Sequence, residues 1–328
     1  MSKFISSLAD DFESMLSYRE ALGFSRRSHE SILMNFDRYI ADHYPEAISL
    51  GREMVTVFID GQIEKSRGGI AKKATAVRLF GKYLSAIGKP SYVLPDEYVS
   101  QPKTTFTPYI FTDDELARLF NAADRQPINI LEPLAPKIPP VLFRLIYTCG
   151  LRPNEGRELL RKNINFKTGE IFIIKTKRKK ERIVVMSGDM LMLCKKYDAV
   201  RNTLNINSEY FFPCYFGHAY TSNQLDRWFK ECWADANPNI PADNLPNVRV
   251  YDLRHRFASA CLNKWLDEKR NLYNMLPYLR EYMGHSAMSE TAYYIHILPE
   301  NLVKSAGIEW ESLEAMIPDD REVTSWQE

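Results

Sequence analysis

Apolar residues recur along the first 88 residues at intervals of three and four, the spacing that lines one face of an α-helix. Leu8, Phe12, Met15 and Leu16 form one such stripe. Ile32, Leu33, Phe36, Tyr39 and Ile40 form a second, and Val55, Phe58, Ile59 and Ile63 a third. A fourth runs through Val77, Phe80, Leu84 and Ile87 and is closed by Gly88 and Pro90. The pattern then lapses. Residues 89–111 hold Pro90, Pro95, Pro102 and Pro108 with no period, which predicts a linker. A new unit opens at Thr112-Asp-Asp-Glu115, a capping-box signal ahead of Leu116, Leu119 and Phe120. A further helix is expected from Pro140 through Tyr147. Between Asn163 and Ser187 the pattern predicts a small antiparallel sheet, with Gly169 at one turn and Lys177–Lys180 at another. Helices are expected over 188–203 and 221–235, the latter capped by Thr221, and the remainder reads as helical.

The expected fold is therefore mostly α with a small antiparallel β-sheet, in two domains. A helical unit spans 1–88, a linker 89–111, a mixed α/β unit 112–305 and a tail 306–328. A length of 328 residues accommodates two domains of ordinary size. No apolar run approaches the ~18 residues that cross a bilayer. The first residues lack the basic start and apolar core of a secretion signal. Cys149, Cys194, Cys214, Cys232 and Cys261 are scattered, with no CxxC pair. That pattern points to a reducing compartment, the cytoplasm, and away from a structural zinc site.

Net charge is only +1, but its distribution is uneven. Arg161–Arg182 holds nine Lys/Arg against two Glu, while Glu309–Glu328 holds seven acidic residues against one arginine. A basic centre suits a polyanion partner, although a charge run is also what a solvated face looks like. The polar face of the fourth helix carries Lys72, Lys73, Arg78 and Lys82. It is either a surface for a phosphate backbone or the wet side of an amphipathic helix.

The chemistry concentrates in four places. Arg152 stands in Gly150-Leu-Arg-Pro-Asn-Glu155, and Arg254 in Tyr251-Asp-Leu-Arg-His-Arg-Phe257. Both lie among apolar neighbours, so each needs an anion or a carboxylate, and Glu155 is a candidate partner for Arg152. Arginine's planar fork bonds two phosphoryl oxygens at once. Lys177 falls in the lysine-rich hairpin beside Lys175, Lys179 and Lys180 and could protonate a departing alkoxide. His285, in Gly284-His285-Ser286, could donate to a phosphate. Tyr294, nine residues on, could attack it once its proton is removed. Each residue alone has an ordinary structural explanation: an ion-paired arginine, a solubilising lysine, a packed histidine, one tyrosine among 18.

In this order and these contexts the motifs resemble those of the tyrosine recombinase (phage integrase) family, over roughly residues 109–305. Arg152 matches its first arginine, Lys177 its lysine, Arg254 its second arginine, His285 its histidine and Tyr294 its nucleophile. One position departs from the pattern. Three residues before Arg254, where the family usually has histidine and sometimes lysine, stands Tyr251, a hydrogen-bonding phenol but a poor base. The resemblance implies a helical core-binding domain followed by a catalytic domain, the two clasping DNA. It implies strand exchange between double-stranded DNA recombination sites through a 3′-phosphotyrosine, without metal, ATP or other cofactor. It further implies a homotetramer on two duplexes, sister recombinases as further partners, and association with a bacterial nucleoid. The tail after Tyr294, with Leu298, Leu302, Ile308 and Trp310, would dock on a neighbouring protomer or pack on its own domain. The stretch Trp265–Leu279 reads as an insertion and points to integration, excision or transposition of a mobile element. The alternatives are a topoisomerase-like enzyme that religates in place, and an accessory DNA-binding protein with degenerate catalysis, for which Tyr251 is the argument.

Overall fold

The computed structural model describes residues 4–65, 69–99, 108–174 and 181–296. The chain divides into two compact units, Met1–Thr104 and Thr105–Glu328. The architecture is mostly helical with one two-stranded antiparallel sheet. Among the described residues no helix is long and apolar enough to cross a membrane.

The first unit is built from α1 (Ala9–Ala21), α2 (Arg27–His43), α3 (Arg52–Lys65) and α4 (Ile70–Ala86). α4 packs against the other three. The Phe12 ring lies at the centre, stacked 3.9 Å from Phe80 and 5.1 Å from Phe4, with Phe36 edge-on at 6.2 Å. Burying four such rings supplies a large share of this unit's apolar burial. Asp37, itself buried, accepts from the backbone N–H groups of Ile5 (2.7 Å) and Ser6 (3.0 Å) and so fastens the approach to α1. On the polar face of α4, Lys72 and Lys82 are exposed and Lys73 is half-buried. Arg78 departs from the expected phosphate-facing role. It donates to the carbonyls of Leu94 and Pro95 (both 2.8 Å) and pairs with Asp96, so its fork ties down the segment after α4.

The second unit surrounds α6 (Ile138–Cys149), which is apolar over most of its surface and packs against α5 (Asp113–Asp124), α7 (Pro153–Arg157), α8 (Gly188–Thr203) and α10 (Val250–Asp267). A helix hydrophobic nearly all round belongs in a core. Thr112 caps α5 through the reciprocal pair expected: Glu115 N–H donates to its hydroxyl (3.2 Å), and its own N–H donates to the Glu115 carboxylate (2.8 Å). Strands β1 (Glu170–Ile173) and β2 (Arg182–Val185) pair with Ile171 opposite Val184 and Ile173 opposite Arg182. Ile171, Ile173 and Val184 point inward while Phe172, Ile183 and Val185 point out, the two-residue alternation of a half-buried sheet. α9 (Ser222–Asp235) is capped by Thr221. A second core joins α10 to α11 (Leu272–Met283) and α12 (Met288–His296) through Leu262, Leu276, Leu279, Met283 and Ile295.

The stretch Trp265–Leu279 is part of the packed unit. It comprises the end of α10, a short turn and most of α11, whose Leu272, Leu276 and Leu279 are buried.

Candidate active site

The sequence brings two helix ends together. α6 ends at Gly150 (φ +58°) and α11 at Gly284 (φ +69°), both left-handed, a conformation that costs a β-carbon-bearing residue energy. Space demands glycine as well. A β-carbon on residue 150 would sit 2.5 Å from the Phe257 ring, and one on residue 284 would sit 3.1 Å from the Arg182 guanidinium. These stops aim the last carbonyls of both helices at a common point, and the arginines occupy it.

Three guanidinium groups bind three consecutive carbonyls at the end of α11. Arg182 Nε donates to Tyr282 O (2.8 Å), Arg254 Nη2 to Met283 O (2.8 Å) and Arg152 Nη2 to Gly284 O (2.8 Å). The C-terminus of a helix carries partial negative charge and unpaired carbonyls, so cations are stabilised there. Arg254 is wholly buried. Its Nη1 donates to Gly150 O, joining the two helix ends, while its Nε has no partner among the described residues.

Glu155 lies between Arg152 and Arg182. Arg182 grips it with both arms (2.9 and 2.7 Å), and Arg152 contributes Nη1 (2.9 Å) and its backbone N–H (2.9 Å). Burial pushes this carboxyl upward, but the Arg182 hydrogen bonds and charge, with those of Arg152 and Arg254, outweigh burial and hold it at about 2. Burial likewise opposes the charge on Arg152; Glu155, Tyr251 and Glu290 reverse this and raise its pKa.

His285 follows directly, with its ring buried. Nε2 lies 2.9 Å from Arg254 Nη2 and Nδ1 lies 2.8 Å from the Thr291 hydroxyl. Guanidinium only donates, so Nε2 accepts and the ring's single proton sits on Nδ1, donated to Thr291. Burial and the charges of Arg254, Arg152 and Arg182 push the imidazolium pKa far down, in keeping with that neutral form. The Tyr294 ring stacks on His285 with centroids 5.9 Å apart and is 3 % exposed. Burial raises its phenol above the ordinary range, partly offset by the charges of Arg254 and Arg152. Tyr293 is half-buried, its ring edge-on to Tyr294 with centroids 6.2 Å apart. On α10, His255 lies 5.0 Å from the Tyr251 ring and 5.5 Å from the Tyr294 ring. Burial, then Arg249 and Arg254, drive its pKa to about 3, so it too is neutral.

The structure thus gathers Arg152, Glu155, Tyr251, Arg254, His285 and Tyr294 from three helices, α7 with its N-cap, α10 and α12, and from the turn between α11 and α12. Lys175, Lys177, Lys179 and Lys180 lie outside the described residues. Sequence reasoning overlooked two members. Arg182 is one of nine Lys/Arg between Arg161 and Arg182, and its carboxylate partner is 27 positions away. Thr291 carried only a weak signal, a hydroxyl one helical turn before Tyr294. Chemically, the site offers fixed positive charge from two or three guanidiniums, two neutral imidazoles and a buried phenol.

A model of the phage integrase family matches residues 110–301. A Sinorhizobium fredii protein that carries the name integrase/recombinase y4rE is 27% identical over 90% of this chain and 93% of its own length. The tyrosine recombinase XerC of Oceanobacillus iheyensis is 26% identical over 76% of this chain and 77% of its own. Among solved structures, the Tn1549 transposon integrase in complex with transposon right end DNA covers 90% of this chain and 96% of its own, with a TM-score of 0.60 at 12% identity, a likeness of fold.

Proposed function

Because the chain belongs to the phage integrase family and is a tyrosine site-specific recombinase, we propose that it breaks and rejoins DNA through a 3′-phosphotyrosine formed at Tyr294. The observation that supports this reading is the position of Tyr294: its ring is packed against His285, within the field of Arg254 and Arg152, inside the same unit. A phosphodiester held by Arg152 and Arg254 keeps its non-bridging oxygens against fixed charge as negative charge grows in the transition state. The Tyr294 oxygen bonds to phosphorus, the bond to the 5′-oxygen breaks, and Lys177 supplies that oxygen with a proton. The 5′-hydroxyl of a partner duplex then reverses the step. The energy of the phosphodiester is kept in the tyrosyl ester throughout.

His285 has two states in this scheme. Before DNA arrives its Nε2 accepts from Arg254. To donate to a phosphate oxygen, the proton must move to Nε2 and Nδ1 must accept. Thr291 permits this because a hydroxyl serves as acceptor or donor in the same place. Tyr251 is a phenol, which hydrogen-bonds rather than serves as a base, so in this chain it orients, and the neutral His255, whose ring lies 5.5 Å from that of Tyr294, is the acceptor for a proton.

At the level of the molecule, residues 1–88 serve as the core-binding domain, 89–111 as linker and 112–305 as catalytic domain. The tail 306–328 lies outside the described residues, and the assembly is a homotetramer spanning two duplexes. The integrase/recombinase name of the Sinorhizobium fredii relative supports a mobile-element role, with sister recombinases as partners. The test is covalent trapping on DNA nicked near the cleavage point. A denaturation-resistant protein–DNA adduct in the presence of chelator is expected from the wild type and not from Tyr294→Phe. Tight DNA binding with no adduct under any condition would favour the accessory reading.

A further inference from the structure

Arg182 touches no group assigned to bond breaking, yet it is tightly held. Its side chain is 8 % exposed, both arms grip Glu155, and Nε holds Tyr282 O. Its aliphatic stem and Nη1 lie so close to Gly284 that a β-carbon there would sit 3.1 Å from them. We propose that Arg182 is a positioning residue of the phosphate site: it neutralises Glu155 so that the charge of Arg152 stays available to the DNA.

The argument is electrostatic. Glu155 fixes Arg152 through two contacts, which gives that arginine a single geometry. The same carboxylate also cancels the arginine's charge, and a guanidinium paired one-to-one with a buried carboxylate has little left for a phosphate. Arg182 removes the conflict. With two guanidiniums on one carboxylate, the Arg152–Glu155–Arg182 group carries a net positive charge. Arg254 adds another and His285 is neutral. The site then offers two positive charges to a phosphodiester whose single negative charge becomes two in the pentacovalent state. A second function of Arg182 follows from its bond to Tyr282 O: β2 is clamped to the end of α11, one turn ahead of His285. Clamping alone would make Arg182 purely structural, and the experiment below separates the two.

This inference rests on the phosphotyrosine reading. Adduct formation is compared for wild type, Arg182→Gln, Arg182→Lys, Glu155→Gln and the double variant, each with a thermal melt. The DNA carries either an ordinary phosphate or an uncharged methylphosphonate at the cleavage point. Arg182→Gln is expected to slow the phosphate reaction roughly 30-fold and the methylphosphonate reaction less than about 3-fold, since the neutral centre needs less charge. Arg182→Lys keeps most of the rate. The double variant cleaves within about 3-fold of Glu155→Gln alone, because without the carboxylate Arg182 has nothing left to neutralise. That comparison holds even where Arg182→Gln by itself fails to fold. A double variant ten or more times slower than Glu155→Gln, or equal losses on both substrates, overturns the proposal. Should wild type form no adduct at all, the phosphotyrosine reading fails. The proposal is then decided by binding: wild type prefers phosphate to methylphosphonate DNA and Arg182→Gln does not, whereas an unchanged preference overturns it.

Discussion

Glu155 governs the charge balance of its surroundings, and its own titration reports on them. Its pKa of about 2 in the folded state lies below that of an exposed glutamate, so the unfolded chain binds the extra proton between the two values. The stabilisation is therefore fully present above about pH 4.5 and is lost as pH falls toward 2, on the order of 3 kcal/mol in total. His255 acts in the same direction over a higher window. Its folded pKa of about 3 lies under the ~6.5 of an unfolded histidine, so stability begins to fall as pH drops below that value. Acid titration of the melting temperature should show a decline starting near pH 6.5 and steepening below 4.5. Glu155→Gln should flatten the lower part only; an unchanged lower limb would mean the carboxyl is not held as described. Thr291→Val removes the partner of His285 Nδ1 and leaves a buried donor unpaired, a loss of ~1–3 kcal/mol. Thermal melts check the stability loss. The adduct rate should fall as well, because the tautomer needed for donation no longer has a hydrogen bond. At this scale, the residues proposed to act on substrate stand in local motifs that are distinctive in sequence. Arg182 and Thr291 do not, because what they do depends on partners that only folding brings near.

Helix ends, more than helix bodies, build the site. α8 and α9 fall where the spacing places them, whereas the expected end of α6 at Tyr147 stops short of Gly150 and no stop was read at Gly284. What spacing could not supply is why two stops 134 positions apart matter to each other. The answer is Arg254, whose guanidinium bonds Gly150 O and Met283 O at once. Gly150→Ala must both adopt a left-handed backbone and displace Phe257, so it should destabilise the protein by more than ~1 kcal/mol and lower the melting temperature. Thr112→Ala, far from the site, removes one side of a capping box and should cost about 1 kcal/mol with the adduct rate unchanged. A melt in which Gly150→Ala matches wild type would contradict the packing described. In Trp265–Leu279 the leucines that bury α11 recur every three or four positions, so this stretch is a packed helix of the unit.

Over the whole molecule, two units of different construction share one chain, a helical unit with an aromatic core and a larger one wound around α6. Their existence was legible from the lapse in periodicity after Gly88. The function of the first unit was less so, since a basic helix face and a solvated one look alike in sequence. The structure narrows the candidates: Lys72 and Lys82 are exposed, whereas Arg78 is committed to backbone carbonyls. If the exposed pair meets phosphates, changing both to alanine should reduce the slope of log affinity against log salt by about 2 and weaken binding to all sequences alike. An unchanged slope would return this face to solvent. The account as a whole depends on one reaction, and covalent trapping tests it most directly. Protein is incubated with nicked site DNA in chelator, denatured, and the adduct digested and mapped by mass spectrometry. The account predicts a DNA-bearing peptide containing residues 293 and 294, lost in Tyr294→Phe and retained in Tyr293→Phe. An adduct on another residue, or one that persists in Tyr294→Phe, would contradict it.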